Sequence, residues 1–323
     1  MAWMSADCFQ GTTATSCLGL AADNTTDIER QATEALRRAA AGQLTDLSPT
    51  TYKFGPNGTV LHDRCGAVCE RLQPRFAGAG LKVLPLVAAF GIRPIVEYAL
   101  NHPADAARNL VDLTLTHGYA GINLDLEPLD CQNCVSPSNC TVETRLLLAF
   151  LDVVAAALHA HGKELQIDYA AWMQTHNFGS YSAVAATKVD TIASMDTYGK
   201  LGDVFGWITQ LNAVASCELP AGVLGGYPCN GRLKLSAGFW PLQPVAQYQG
   251  GEPDPTTAAV VLSGNPPNGV GFEQAKGRGV RQLCIWDAFG ETWSNATGGA
   301  RLGVHQSIEE YWWTGFGRFL ALP

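Results

Sequence analysis

Apolar and polar positions alternate most cleanly between Gly121 and Glu127, where Ile122, Leu124 and Leu126 interleave with Asn123, Asp125 and Glu127. A period of two sends successive side chains to opposite faces of a strand. The aliphatic set would then pack on one face while the polar set lines the other, with Asp125 and Glu127 about 6.6 Å apart along the strand. Pro128 keeps Glu127 extended and ends the strand, which places Glu127 at its carboxyl end. A row of carboxylates on a buried strand is costly unless the groups are paired. The competing reading is an edge strand with a solvated acidic face. The aliphatic flanks and the helical patterns on either side favour a central strand.

The same reading orders the rest of the chain. Strands are expected at residues 2–6, 44–54 and 81–87 before the acidic strand, and at 165–170, 191–198, 233–240 and 281–289 after it. The second ends in the turn Gly55-Pro56-Asn57-Gly58. Pro85 in the third belongs at a bulge or near the strand's end. Helical patterns fill the gaps. One starts at the capping box Thr26-Asp27-Ile28-Glu29 and closes at Gly42. Others run over 65–79, from Pro103 to Gly118, over 142–161 up to Gly162, over 204–214 and over 308–320, with Trp312 and Trp313 as core residues of the last. Strands alternating with helices imply a parallel sheet with right-handed crossovers. Eight such units make a (β/α)8 barrel, a single domain over residues 1–323, and barrels place their chemistry at the carboxyl ends of the strands. An open doubly wound sheet is the alternative, against which no Gly-rich phosphate loop follows an early strand.

Composition narrows the function. Hydrophobic residues make up 47% of the 323 residues, enough for a sizeable core. A net charge of −8 argues against a nucleic-acid partner, which needs a basic face. The ten cysteines and the glycosylation sequons at Asn24, Asn57, Asn139 and Asn295 point to an oxidising secretory compartment. Cysteine pairing is not legible in a sequence. The expectation is short local bridges, Cys8–Cys17, Cys65–Cys69 and one within Cys131–Cys140, with a zinc site at Cys131, Cys134 and Cys140 as the alternative. That alternative lacks a second complete ligand pair. Met1-Ala2-Trp3-Met4 has neither the basic region nor the apolar run of a signal peptide, so the chain is expected to be a mature or trimmed form of a secreted or lysosomal protein. The most apolar stretch, 146–158, is too short to span a membrane and carries Asp152.

The acidic strand resembles the signature of glycoside hydrolase family 18, the chitinases, di-N-acetylchitobiases and endo-β-N-acetylglucosaminidases, which reads D-G-x-D-x-D-x-E. Gly121, Asp125 and Glu127 match, while Ala120 stands where the first Asp would be and Asn123 where the second would be. Branches of the family that read G-[IV]-N-[IVL]-D-[IFL]-E are closer still. The resemblance implies a retaining hydrolase without a protein nucleophile, in which the sugar's own acetamido group attacks the anomeric carbon, an exception to the two-carboxylate rule. It implies that Glu127 is the acid and later the base, with its pKa raised by a buried site and by Asp125. Asp125 would orient the acetamido group, and Asn123 would hydrogen-bond Asp125. Asn cannot relay a proton as the usual Asp can, which bears on the pH profile more than on the reaction.

On the sixth strand, Ser194-Met195-Asp196-Thr197-Tyr198 holds the residue types of the family's M-x-Y-D in another order. Anchored on Tyr198, the strand turns Asp196 and Tyr198 into the site; a Tyr packed against a helix is the plainer alternative. Trp286 resembles the tryptophan that floors the sugar pocket. Asp168 lies on a central strand and is expected to face the site. Tyr169, Trp172, Phe239 and Trp240 near strand ends are candidate sugar platforms, with core packing as the competing reading. Only forty residues separate Trp240 from Arg281, too few for the insertion domain of many family-18 chitinases, which implies a more open cleft.

No H-E-x-x-H, P-loop or G-x-S-x-G occurs. The reading is therefore a monomeric glycosidase that takes an oligosaccharide or polysaccharide containing N-acetylglucosamine and needs no metal or cofactor. Two rivals stand beside it. One is a catalytically silent lectin or inhibitor on the same barrel; the other is a glycosidase of different specificity that uses Glu127 with Asp168 or Asp196.

Overall fold

The computed structural model describes residues 2–4, 24–63, 65–90, 93–127, 144–170, 173, 181–195, 233–239, 276, 280–285, 313, 316–317 and 319–321. In chain order its elements are β1 (Ala2–Met4), α1 (Asn24–Ala40), β2 (Asp46–Phe54), β3 (Val60–His62), α2 (Gly66–Gly78), β4 (Lys82–Val83), β5 (Leu86–Phe90), α3 (Arg93–Asn101) and α4 (Pro103–His117). Then come β6 (Gly121–Glu127), α5 (Thr144–His159), β7 (Glu164–Tyr169), α6 (Tyr181–Ala185), β8 (Thr191–Ser194), β9 (Lys234–Phe239) and β10 (Val280–Ile285).

The sheet is parallel except for β3, which folds back antiparallel on β2. Neighbours follow chain order from β2 through β5, β6, β7, β8 and β9 to β10. Both ends of this run meet β1. Ala2, Trp3 and Met4 pair with Leu47, Ser48 and Pro49 of β2, and Ala2 also pairs with Ile285 of β10. Each of the eight expected strands has a counterpart, the third being split into β4 and β5 by Leu84 and Pro85. The ladder runs on through the break, since the Leu84 N–H donates to the Leu47 carbonyl and the Pro85 carbonyl accepts from Asn123. This is the irregularity the proline called for, beside a register shift between Thr50 and Tyr52.

The helices pack on one face of the sheet. In α5, Leu147, Phe150, Leu151, Val154, Ala155 and Leu158 are fully buried, a stripe at helical spacing. They meet the outward positions of the strands, among them Val87, Ile122, Leu124, Leu126, Ile167, Ile192 and Leu235, in one continuous core. Helix α4 opens at Pro103 and stops at Gly118, whose φ of +67° lets its N–H bond back to Thr114 and Leu115. Arg38 of α1 is buried and bonds Glu34 and Gln43, with its guanidinium 5.0 Å from the centre of the Trp313 ring. Trp313, Phe316 and Phe319 are helical and buried, which fits the core reading of this stretch.

Three elements are absent from the sequence reading: β3, α3 and α6. β3 has three residues and α6 has five, too few to show a period. Helix α1 begins at Asn24, ahead of the capping box at Thr26. β8 ends at Ser194, with a bend at Met195, short of the expected Tyr198.

Candidate active site

β6 lies between β5 and β7, so it is a central strand and not an edge. Its aliphatic side chains join the core under the helices, and Asn123 and Asp125 are buried on the opposite, inward face. Apart from Leu86, the inward neighbours are small or polar. Leu86, Ala88, Ala193 and Cys284 form a cluster of their own, with Ser48, Thr50, Gln166, Asp168 and Ser236 buried around them.

Register brings the acids together. Asp125 pairs with Ala88 of β5 on one side and with Asp168 of β7 on the other. The Asn123 amide donates to Ser48 Oγ at 3.1 Å and to Asp168 Oδ2 at 3.0 Å. These two bonds use both hydrogens of the amide, and its own oxygen has no partner. The expected bond from Asn123 to Asp125 is therefore not made. Same-face residues on one strand lie about 6.6 Å apart, whereas neighbouring strands are about 4.8 Å apart, so the amide reaches sideways.

Glu127 sits opposite Phe90 at the carboxyl end of β6 and is partly buried. Loss of solvation pushes its carboxyl up from 4.5 to about 7. Glu34 shows the contrast: hydrogen bonds from Arg37 first, and from Arg38, hold its carboxyl below the usual range. A carboxyl that keeps its proton near neutrality can act as a general acid.

Asp168 is buried on the inward face, where it accepts from the Asn123 amide. Its neighbour Tyr169 cannot share that face. The pleat turns Tyr169 outward into the core with Leu165 and Ile167, where it is fully buried, so its place is packing and not a sugar platform. On β8, Ala193 faces inward and Ile192 outward. Trp172, Asp196, Tyr198, Trp240, Trp286 and the side chain of Phe239 lie outside the described residues, as do Cys8, Cys17, Cys131, Cys134 and Cys140. The sulfurs of Cys65 and Cys69 stand at bonding distance, 2.12 Å, the local bridge that was expected.

Two participants escaped the sequence reading. Ser48 belongs to an alternation with Thr50 on β2, a pattern that could have signalled an inward polar column. Cys284 has no role in the sequence reading; its thiol is free and buried against the Ser236 hydroxyl, and burial pushes it up to about 12. Among the described residues no group of three or more His, Cys, Asp or Glu side chains is placed to hold a metal ion. A cavity of about 590 Å³ opens at the other end of the strands, lined in part by Asp46, Lys82, Glu164, Gln166, Lys234 and Arg281.

No protein-family model and no curated protein matches this chain. Solved structures do. A chitinase from Chromobacterium violaceum aligns over 100% of this chain and 99% of its own, at 13% identity and a TM-score of 0.57. The fold is that of the chitinases. A class V chitinase from Pseudomonas fluorescens aligns over 87% of this chain and 96% of its own, at 17% identity and a TM-score of 0.55. A GH18 chitinase from Pseudoalteromonas aurantia aligns over 85% and 95%, at 11% identity and a TM-score of 0.52. Identities this low establish the chitinase fold and leave the chemistry to be argued from the site.

Proposed function

We propose that the chain is a retaining glycoside hydrolase of the family-18 type, which cleaves β-1,4-linked N-acetylglucosamine in chitin oligomers or the N-glycan core. The protein is read as one closed (β/α)8 barrel over residues 1–323 without an insertion domain, a monomeric, disulfide-bonded glycoprotein of the secretory or lysosomal compartment. The observation that carries the activity is Glu127: a carboxyl held near pH 7 by desolvation, at the carboxyl end of a central strand whose Asp125 points inward. The likeness of fold to chitinases supports the same reading.

In the first step Glu127 gives its proton to the leaving glycosidic oxygen as the acetamido carbonyl oxygen of the substrate closes on the anomeric carbon. Asp125 accepts the acetamido N–H and balances the positive oxazolinium ring. The Glu127 carboxylate then takes a proton from water, whose oxygen opens the ring with net retention. Asn123 serves from behind by fixing Asp168 and Ser48. Asp196 and Tyr198 are assigned to the acetamido group, and Trp286 to the sugar face, with Trp172 and Trp240 as further platforms.

The test is hydrolysis of a chromogenic chitobioside by wild type and Glu127→Gln. Wild type should turn over and the variant should not, and a glucoside lacking the N-acetyl group should be inert. Wild-type-like turnover by the variant removes Glu127 as the acid. Hydrolysis of the glucoside removes substrate assistance. Binding of chito-oligomers in a calorimeter with no cleavage over days is the signature of a lectin or inhibitor.

A further inference from the structure

The cavity at the amino ends of the strands has no part in the proposed hydrolysis, yet its volume of about 590 Å³ is that of a site for a small organic molecule. Lys82, Lys234 and Arg281 line it against the carboxylates of Asp46 and Glu164, so it carries one positive charge in excess within a chain of net charge −8. The three cations are not equally engaged. Lys82 donates to Glu164 Oε1 at 2.7 Å, and its charge also acts on Asp46, which accepts from Thr45 Oγ1. Lys234 stands 3.8 Å from the same Glu164 oxygen, too far for a hydrogen bond. Among the described residues the Arg281 side chain has no ion-pair partner. Gln166 follows Glu164 by two residues on β7 and lines the inner end of the cavity. It is 1% exposed, and its amide nitrogen has no hydrogen-bond partner. A dry, unpaired donor is costly, and the broad two-fold torsion of a glutamine amide lets a half-turn present that N–H to an oxygen in the cavity. Gln166, Thr191 and Lys234 stand in one row across β7, β8 and β9, so the amide and the Lys234 ammonium reach toward a common point. Leu233, Leu283, Phe316 and Phe319 are buried and supply an apolar wall.

We propose that this cavity is a second binding site, for a small monocarboxylate with an apolar body. Arg281 answers the carboxylate, and a guanidinium is the side chain whose fork matches that group. Lys234 turns to it from its loose place beside Glu164, and the Gln166 amide donates to one of its oxygens. Lys82 stays with Glu164 and Asp46 and keeps both acids from repelling the ligand. The apolar body lies along Phe316 and Phe319, where its burial adds to the charge pairing. One carboxylate balances the single positive charge in excess, whereas a phosphate dianion would leave the cavity negative. The site is independent of the hydrolase reading, since Glu127 stands at the opposite end of the sheet.

The test takes the whole chain and 2-naphthoate as the probe, with 2-naphthamide as its uncharged match, and reads binding by calorimetry at neutral pH. Wild type should bind naphthoate with a Kd below about 1 mM. The amide should bind at least about tenfold more weakly, because it cannot make the charge-assisted bonds. Arg281→Gln, a change at an exposed side chain, should weaken naphthoate binding about tenfold. Gln166→Met keeps the length of the buried side chain, removes its donor and should also weaken binding. Should Gln166→Met fail to fold, Arg281→Gln and the amide decide. Glu127→Gln should bind naphthoate as wild type does. No binding by wild type, equal binding of the amide, or unchanged binding by Arg281→Gln or by a folded Gln166→Met overturns the proposal. So does a loss of binding in Glu127→Gln, which would put the probe at the other end of the sheet. Turnover of a chitobioside is a separate readout, and its absence sinks the hydrolase reading without touching this one.

Discussion

Replacing Glu127 by Gln keeps the shape of the side chain and removes its titration, so it should act on stability as well as on activity. The folded protein holds this proton up to about pH 7, whereas a free carboxyl releases it near 4.5. Between those values the folded state binds more protons than the unfolded chain, and stability falls as pH rises through the window. Each tenfold in acidity is about 1.4 kcal/mol, so the ionised form costs the fold up to about 3 kcal/mol above pH 7. Below 4.5 both states are protonated and the cost vanishes. The Gln variant should therefore match wild type at about pH 4 and exceed it by up to about 3 kcal/mol at about pH 8. Urea unfolding followed across that range, with m-values compared to confirm that the transition is the same, reads the difference directly. The same variant should lose about 10²–10⁴-fold in turnover. A gap between the two proteins that does not change with pH would refute the desolvated-acid argument, as would a Gln variant no more stable than wild type at the alkaline end.

The other predictions use separate parts of the structure. The kcat/KM of wild type should decline above about pH 7 as Glu127 loses its proton, and a limb two units lower would mean that another group is the acid. At Gly121 an added Cβ would stand 2.1 Å from the Glu164 carbonyl oxygen, a backbone atom that cannot swing away, so Gly121→Ala should cost more than about 3 kcal/mol in urea unfolding. Arg38→Ala strips the buried guanidinium from Glu34, Gln43 and the Trp313 ring and should cost about 3 kcal/mol, read as a lowered denaturation midpoint. Tyr52→Phe removes a hydroxyl bonded to Glu70 at 2.7 Å and to Tyr119 at 3.0 Å, worth about 1–2 kcal/mol by the same assay.

What the sequence disclosed follows from what periodicity can encode. Ile122, Leu124 and Leu126 announced both a strand and its buried face, because a period of two leaves no other consistent packing. Gly118 and Gly162 announced helix ends, each adopting a φ of +67°. The site was legible where it sat on that one strand and poorly legible across strands. Asp168 and its neighbour Tyr169 are both candidates in the sequence, although the pleat forbids both from facing inward, and Tyr169 takes the core position. Ser48 went unseen because its role depends on register with Asn123, seventy-five residues away, and a single sequence carries no register. Cys284 went unseen for a similar reason: an even count of cysteines suggests pairing but does not say which ones meet.

The two ends of the sheet invite a choice, since the described cavity of about 590 Å³ lies at the strands' starts and Glu127 at their finish. A described cavity marks the former, and the desolvated Glu127 carboxyl marks the latter. At the cavity, Glu164 is held by Lys82 at 2.7 Å and lies 3.8 Å from Lys234, so its charge is answered by the protein itself. Such pairs serve the fold and leave little chemistry to spare. At the other end, Asp125 and Asp168 are buried at paired positions among amide, hydroxyl and methyl groups, and Glu127 ends the same strand as Asp125. Barrel interiors are ordinarily filled with branched aliphatics, and here the helix-facing layer already supplies a continuous apolar core. Polar groups in the inner column thus bring the fold nothing that valine or leucine would not bring more cheaply. The polar groups along β6 and β7, and the desolvation that raises Glu127 to about 7, are what the proposed hydrolase would need at that end of the sheet.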